Sequence, residues 1–334
     1  MKIVQVIQRY FPFQGGSERY FLALARHAVA AGNHVHVVTT NAWDLESFWD
    51  PRARRLSLEP MTQDGIIIRR VPVRYLPAPR FSHRAIRRLM AESGRLPFLG
   101  RRALLSGLGR FGPWVPGIGA TLAGERPDVV HSANIAFESM VAASARFARQ
   151  RGVPHVVTPF VHLGEGPRSK VRRFYTMPHQ LALLRAADAV LTLTSMEADY
   201  LMAGGVPPAR IRVVGAGIDV ASVTGGDGSR ARERYGLRAP VVLSLGAAAY
   251  DKGTVHLVDA VRRLHQRGQD VDLVVAGPPL SAFTRYVDAL PAPERRHIHL
   301  LGFVAEEEKR DLLAAADVVV LASRTESFGL VFLE

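Results

Sequence analysis

The sequence predicts an α/β protein built as two tandem doubly wound domains. Three observations carry this. Short Val/Ile/Leu-rich runs alternate with helical patterns along almost the whole chain. A glycine- and polar-rich stretch, 222–230, interrupts that alternation once. The length, 334 residues, corresponds to about two domains at roughly 150 residues each. Continuous apolar strands separated by helices form βαβ units, whose parallel sheet is buried on both faces.

In chain order, strands are expected at 3–7, 35–39, 66–71, 129–131, 155–158, 189–193 and 212–214, with helices at 17–31, 137–151, 177–187 and 196–203. After the interruption come strands at 241–245, 272–276, 297–301 and 318–321, and helices at 253–267 and 306–315. The expected domains are therefore 1–219 and 239–334, joined by a linker at 220–238. Residues 94–124, with Pro97, Pro113, Pro116 and many glycines, read as an irregular insertion. Ligands of such sheets bind outside the carboxyl ends of the strands, so the loops that follow the strands are where to look for function.

Composition excludes several classes. Apolar residues at 48% and charged residues at 22% rule out global disorder. Cysteine is absent, which excludes a disulfide scaffold, thiolate zinc sites and a cysteine nucleophile. The longest run without Asp, Glu, Lys or Arg, 27–43, holds three histidines and does not read as a membrane span. Arg9 comes too soon for a signal-peptide apolar region. A soluble, cytoplasmic protein is expected.

The net charge of +13 is unevenly spread: residues 1–219 hold 29 basic and 15 acidic side chains, and 220–334 hold 14 and 15. Eight arginines fall between Arg80 and Arg110 against the single acid Glu92. Arg84, Arg87 and Arg88 would share one helical face and Ile86, Leu89 and Met90 another. Such a helix can lie on anionic lipid, grip an anionic substrate, or simply be a solvated face. No zinc-finger spacing, aromatic RNA-binding motif or basic arm accompanies the charge, so nucleic acid is not the expected partner.

Three loops carry possible chemistry. The first strand leads through Gln8–Phe13 to Gln14-Gly15-Gly16-Ser17-Glu18-Arg19, not to the GxGxxG of a dinucleotide site. Gly15 and Gly16 would let a ligand approach the amides of a helix start, or would merely turn the chain into a helix capped by Ser17. In the second domain Gly246-Ala-Ala-Ala-Tyr-Asp-Lys252-Gly253 places a lysine at a helix start, where it would serve a diphosphate or sit on the surface. No GxxxxGK[ST] is present, which excludes a P-loop NTPase. Last comes Glu326-Ser-Phe-Gly-Leu-Val-Phe-Leu-Glu334, after the short loop 322–325. Its two carboxylates are about two helical turns apart and would fall near one face of a helix, with Gly329 giving backbone access between them.

With the Lys-Gly helix start in view, this last motif resembles the EX7E motif of family-4 retaining glycosyltransferases of the GT-B fold. The likeness runs through Gly15-Gly-Ser-Glu-Arg19, Asp128-Val-Val-His131, Thr194-Ser195 with Glu197, and Val214-Gly-Ala-Gly-Ile-Asp219. It continues with Lys252-Gly253, Val275-Ala-Gly277, Leu301-Gly-Phe-Val304 and Ala315-Ala-Asp317. The resemblance implies that the second domain binds a nucleotide-sugar and the first an acceptor, with retention of anomeric configuration and without metal or cofactor. Lys252 and Gly246 would meet the donor diphosphate, with Gly15 and Gly16 near it. Glu326 and the backbone of Ser327, Phe328, Gly329, Leu330 and Val331 would hold sugar and phosphate, with Val304 beside them. Glu334 would hold the ribose.

Three departures from the family pattern stand out. Ala247 follows Gly246 where an arginine is common. His131-Ser132-Ala133 replaces His-x-His, so His131 reads as structural and His162, in the next strand's loop, is the candidate to take over the ligand-facing role. The chain stops at Glu334, so an incomplete second domain, truncated at its C terminus, is expected. The charge asymmetry points to a lipid-linked or cell-surface glycan acceptor, with Arg84, Arg87 and Arg88 facing anionic lipid at the inner face of the membrane. A non-catalytic nucleotide- or glycan-binding module and a nucleotide-sugar epimerase are the alternatives.

Overall fold

The computed structural model describes residues 1–12, 15–164, 169, 171–324 and 326–334. The chain forms two compact units, Met1–Ala216 and Gly217–Glu334. Phe13 and Gln14 of the first glycine loop, and Thr325 of the loop before Glu326, lie outside the described residues.

The first unit carries strands β1 (Lys2–Val6), β2 (His34–Thr40), β3 (Met61–Gln63), β4 (Ile66–Val71), β5 (Val129–Ala133), β6 (His155–Thr158), β7 (Ala189–Thr192) and β8 (Ile211–Val213). Their order is β3-β4-β2-β1-β5-β6-β7-β8, parallel except for β3, which runs antiparallel to β4. Strand β1 pairs with β2 on one side (Ile3 opposite Val35) and β5 on the other (Ile3 opposite Val129). The order therefore reverses at β1, and a crevice opens at the carboxyl end of that strand. Helices are α1 (Gly16–Ala30), α2 (Pro79–Ser93), α3 (Arg101–Gly109), α4 (Ile118–Ala123), α5 (Glu138–Arg151), α6 (Pro178–Ala186) and α7 (Ser195–Ala203). The 94–124 stretch is thus not irregular. Its three prolines all fall between helices, Pro97 between α2 and α3 and Pro113 and Pro116 between α3 and α4, so none breaks a helix.

The second unit holds β9 (Val241–Leu245), β10 (Asp272–Ala276), β11 (Ile298–Gly302) and β12 (Val318–Val319), all parallel in the order β11-β10-β9-β12. Its helices are α8 (Val220–Val223), α9 (Gly228–Tyr235), α10 (Thr254–Gln266), α11 (Ser281–Asp288), α12 (Ala292–Arg295) and α13 (Glu306–Ala315). Side chains alternate across β10. Leu273 and Val275 pack with Leu257, Val258 and Phe283 of α10 and α11, while Val274 and Ala276 pack with Ala231 and Leu312 of α9 and α13. Both faces of the sheet are covered by helices, which is why its strands read as unbroken apolar runs.

The stretch expected as a linker, 220–238, is folded into this unit. Asp227 caps α9 by accepting the N–H groups of Ser229 and Arg230. Arg230 then grips Asp311 of α13 in a two-point ion pair, Nε to Oδ2 at 2.5 Å and Nη2 to Oδ1 at 2.8 Å. That arginine holds the Asp311 carboxyl down to about 2.

Candidate functional site

In the second unit the sheet order reverses at β9, and the loops after β9 and β12 meet at its carboxyl edge. Gly246 ends β9 and donates its N–H to Ala276 O at 2.9 Å. Residues 250–253 then turn into α10. Gly253, at φ +70°, is the residue before that helix, and a Cβ on it would lie 1.9 Å from Ala322 O. Only glycine permits both the left-handed backbone and so close an approach. Arg324 N–H donates to Asp251 O at 3.1 Å and completes the seam. Lys252 and Glu326 thereby form an ion pair, Nζ to Oε1 at 2.7 Å, with 33% and 32% of their side-chain surface open to solvent. A cation and a carboxylate are held together at a helix start, still reachable by a ligand.

The expected helix from Glu326 to Glu334 does not form. Gly329 takes φ +83°, outside the helical region, and only the short 3-10 turn Leu330–Phe332 follows. The two glutamates take different partners. Glu334 is 3% exposed and pairs with Lys309 of α13 at 3.1 Å. Ser327, Phe328 and Leu330 are half-buried. Val304 and Val331 are half-buried and pack against the cluster of Ala231, Leu243 and Leu312. At the opposite end of the same sheet His265, Asp270 and His297 bring ligand-type atoms within 4.8 Å of one another. Arg262 and Arg296 line that hollow, and Arg296 donates to His297 Nε2, so the surroundings disfavour a cation.

In the first unit, helix α1 begins at Gly16 with Gly15, not Ser17, as the residue before it, because Gly15 alone keeps an extended backbone. Ser17 and Glu18 belong to a buried network instead. Gln8 donates to Ser17 Oγ at 3.1 Å and to Glu18 Oε1 at 3.2 Å, and Arg9 Nε donates to Glu18 Oε1 at 3.1 Å. This network ties the end of β1 to the start of α1 and fixes the two glycines beside the crevice.

His131 is buried as a structural residue. Its Nε2 lies 2.8 Å from Thr158 Oγ1 and its ring packs 4.6 Å from that of Phe21. Burial, helped by His155, pushes His131 down to about 3. His162 sits in the loop after β6, half-buried, with its ring 5.0 Å from Tyr175. Buried Glu197 braces that loop by accepting Val161 N–H at 2.7 Å and Leu193 N–H at 3.0 Å. Burial raises the Glu197 carboxyl despite these bonds.

The three arginines of α2 separate. Arg84 and Arg88 are exposed. Arg87, 14% exposed, is turned inward to buried Glu138, with Nη1 to Oε1 at 2.8 Å and to Oε2 at 3.1 Å. It braces α2 against α5 and is not part of a surface patch. Sequence reasoning did not single out Arg324, whose only signal is a cation two residues before Glu326.

Comparison with known proteins agrees with this architecture. The glycosyl transferase 4-like domain matches residues 15–217, and the glycosyl transferases group 1 domain matches 229–334. Over 158 residues the chain is 31% identical to an α-D-kanosaminyltransferase of Streptomyces kanamyceticus, covering 45% of this chain and 40% of that protein. It is 29% identical to D-inositol 3-phosphate glycosyltransferase 1 of Catenulispora acidiphila, over 96% of this chain and 72% of that one. The structure of Anabaena HepE in complex with UDP and glucose superposes with a TM-score of 0.65 at 18% identity, covering 99% of this chain and 77% of HepE, a likeness of fold. The chain belongs to the GT-B glycosyltransferases of the family-4 type, which join a glycosyl transferase 4-like domain to a group 1 domain.

Proposed function

We propose that the protein transfers a sugar, with retention, from a nucleotide-sugar to a glycan or lipid-linked acceptor. The observation that carries this reading is the Lys252–Glu326 pair at the start of α10. In the reaction the bond between the sugar C1 and the diphosphate oxygen breaks while C1 bonds to the acceptor hydroxyl oxygen. Negative charge grows on the departing diphosphate, and Lys252 with the amides that open α10 stabilises it there. Glu326 orients the sugar, and the leaving phosphate takes the acceptor proton. Arg324, tied to the same turn through Asp251, supplies a second cation where Ala247 lacks one. Gly15 and Gly16 belong to the donor side, His162 to the acceptor side, and no metal or cofactor enters. Glu334 meets the ribose only after Lys309 releases it. We place the protein in the cytoplasm, peripheral to the inner face of the membrane.

HepE, crystallised with UDP and glucose, supports a nucleotide-sugar donor by likeness of fold. The test is donor hydrolysis and transfer from UDP-, GDP- and ADP-sugars. Glu326→Ala and Lys252→Ala should each lower turnover at least about a hundredfold, the scale of one lost charge-stabilising group. Their melting temperatures should stay nearly unchanged, because an ion pair about one third open to solvent contributes little stability. Nucleotide binding without turnover in the parent would favour the non-catalytic module, and recovery of an isomerised donor would favour the epimerase.

A further inference from the structure

The α2–α3 hairpin of the first unit combines two features that its inward-facing residues do not explain. Its inner side is well packed: Met90, Leu105 and Met177 form a buried cluster with Ile86, Leu108 and Phe174 against it. Its outer side nonetheless exposes Phe81 and Leu89 on α2, Leu104 on α3, and Leu96, Phe98 and Leu99 in the turn between, where Leu99 stands fully in solvent. The turn is built rather than loose, since Arg101 Nη1 donates to Leu96 O at 3.1 Å and Gly94 O at 3.4 Å. Contiguous exposed apolar side chains of this kind mark a contact surface.

Beside that turn lies a hollow of about 640 Å³, lined among others by Arg95, Arg172, Arg173, Thr176 and Tyr200. Arg172 lies over the Tyr200 ring at 4.6 Å, and Tyr200 OH is 3.1 Å from Thr176 Oγ1. Glu92 is the one acid facing the arginines among the described residues, 3.4 Å from both Arg95 and Arg173. Three guanidinium groups against one carboxylate, with a hydroxyl on hand, suit a phosphate. Arg84 and Arg88, on the exposed face of α2 with Phe81 and Leu89, extend the positive charge along the hairpin.

No helix among the described residues is long and apolar enough to cross a membrane. An apolar turn rimmed by excess positive charge is instead what lies on an anionic bilayer: the apolar side chains enter the acyl boundary while arginines meet the headgroups. A second copy of this chain, itself at a net +13, would leave the excess charge unmatched. We propose that this face docks on an anionic membrane, with 96–99 entering the lipid and the Arg95–Arg172–Arg173 hollow holding one lipid phosphate. This deepens the acceptor assignment and rests on it in one respect. Arg172 Nε donates to Leu163 O at 3.1 Å, so the hollow adjoins the His162 loop, and a lipid-linked acceptor held by its phosphate would extend its glycan toward that loop.

The experiment is co-sedimentation of the full chain with phosphatidylglycerol-containing vesicles and with phosphatidylcholine vesicles, alongside the thermal shift given by UDP. The expected result is binding to the anionic vesicles alone, lost as salt rises to about 0.5 M. Arg95→Gln and Arg173→Gln should each weaken it about fivefold. A double variant, Leu96→Asp with Leu99→Asp, should abolish it without lowering the melting temperature, since both side chains are exposed. Equal binding to both vesicles, binding to neither, or anionic binding that survives these variants overturns the proposal. So does a dimer in solution that shields the hairpin. An upward thermal shift with inorganic phosphate, lost in Arg173→Gln and unaccompanied by vesicle binding, would assign the hollow to a free phosphate and overturn the membrane docking. A UDP shift retained in the same samples separates failure here from failure of the donor reading.

Discussion

Buried histidines set the pH response at the scale of single residues. Burial pushes His131 down to about 3 and His155 to about 4, while burial and Arg87 push His83 to about 4. All three are neutral in the folded chain near pH 6, whereas an unfolded histidine titrates near 6.5. Between about pH 6.5 and 4 the unfolded chain therefore binds protons the folded chain refuses. Stability falls as pH drops through that window, by up to about 1.4 kcal/mol per pH unit for each histidine. Glu197, raised by burial, works in the opposite direction by at most one proton. Chemical denaturation at stepped pH should show the net fall, and His131→Asn should remove about one proton from the slope. An unchanged slope would mean that His131 is charged in the folded state. Residues differ in how legible they were. Lys252 and Glu326 could be picked from motifs because their pairing follows from a glycine and a loop close by in each segment. Arg87 could not, because an arginine in a basic run looks the same whether it is solvated or, as here, turned to Glu138 51 residues away.

Among the elements, every strand but the short β3 was legible and several helices were not. All four second-unit strands were anticipated, because burial on both sheet faces leaves a local signature of unbroken apolar residues. Helices α3 and α9 were missed because glycine and proline at their ends dominate their short sequences, and their stability comes from packing on α6 and α13. The Glu326–Glu334 segment errs in the other direction. Its apolar spacing favours a helix, but Gly329 adopts φ +83° and the two ends pair with different lysines, Lys252 and Lys309. The junction at Gly253 is where element geometry controls the site. Gly253→Ala would meet Ala322 O at 1.9 Å, whereas Gly268→Ala, with φ +76°, would meet nothing within 4 Å. Both alanines bear the left-handed strain, about 1–2 kcal/mol. Only the Gly253 variant should lose further stability and cut sugar transfer, as urea denaturation and a turnover assay will measure. Equal losses at the two positions would show that the close Gly253–Ala322 approach does not hold the site.

For the whole molecule, charge and core divide together. Residues 1–219 carry a balance of +14 and 220–334 of −1, a split that tracks the boundary between the units Met1–Ala216 and Gly217–Glu334. Each unit has its own apolar clusters, side by side along one face of the first sheet and on opposite faces of the second. If the second unit holds the donor, a nucleoside diphosphate at a hundred times its Kd should stabilise the folded chain by about 2.7 kcal/mol. Differential scanning fluorimetry should show the rise with the matching base, and Lys252→Ala should abolish it. A rise that Lys252→Ala leaves intact would put the nucleotide elsewhere. Strand class, helix–strand alternation, the excess of arginine in the first half and the cluster of motifs around Lys252 and Glu326 are all written in stretches of a few neighbouring residues, where hydrophobic period and glycine placement act locally. Which arginine is buried, which glutamate is open and where the apolar hairpin meets a basic hollow depend on partners far apart in the chain. Long flexible side chains find those partners only once the sheet has brought their helices together, and no local pattern encodes the meeting.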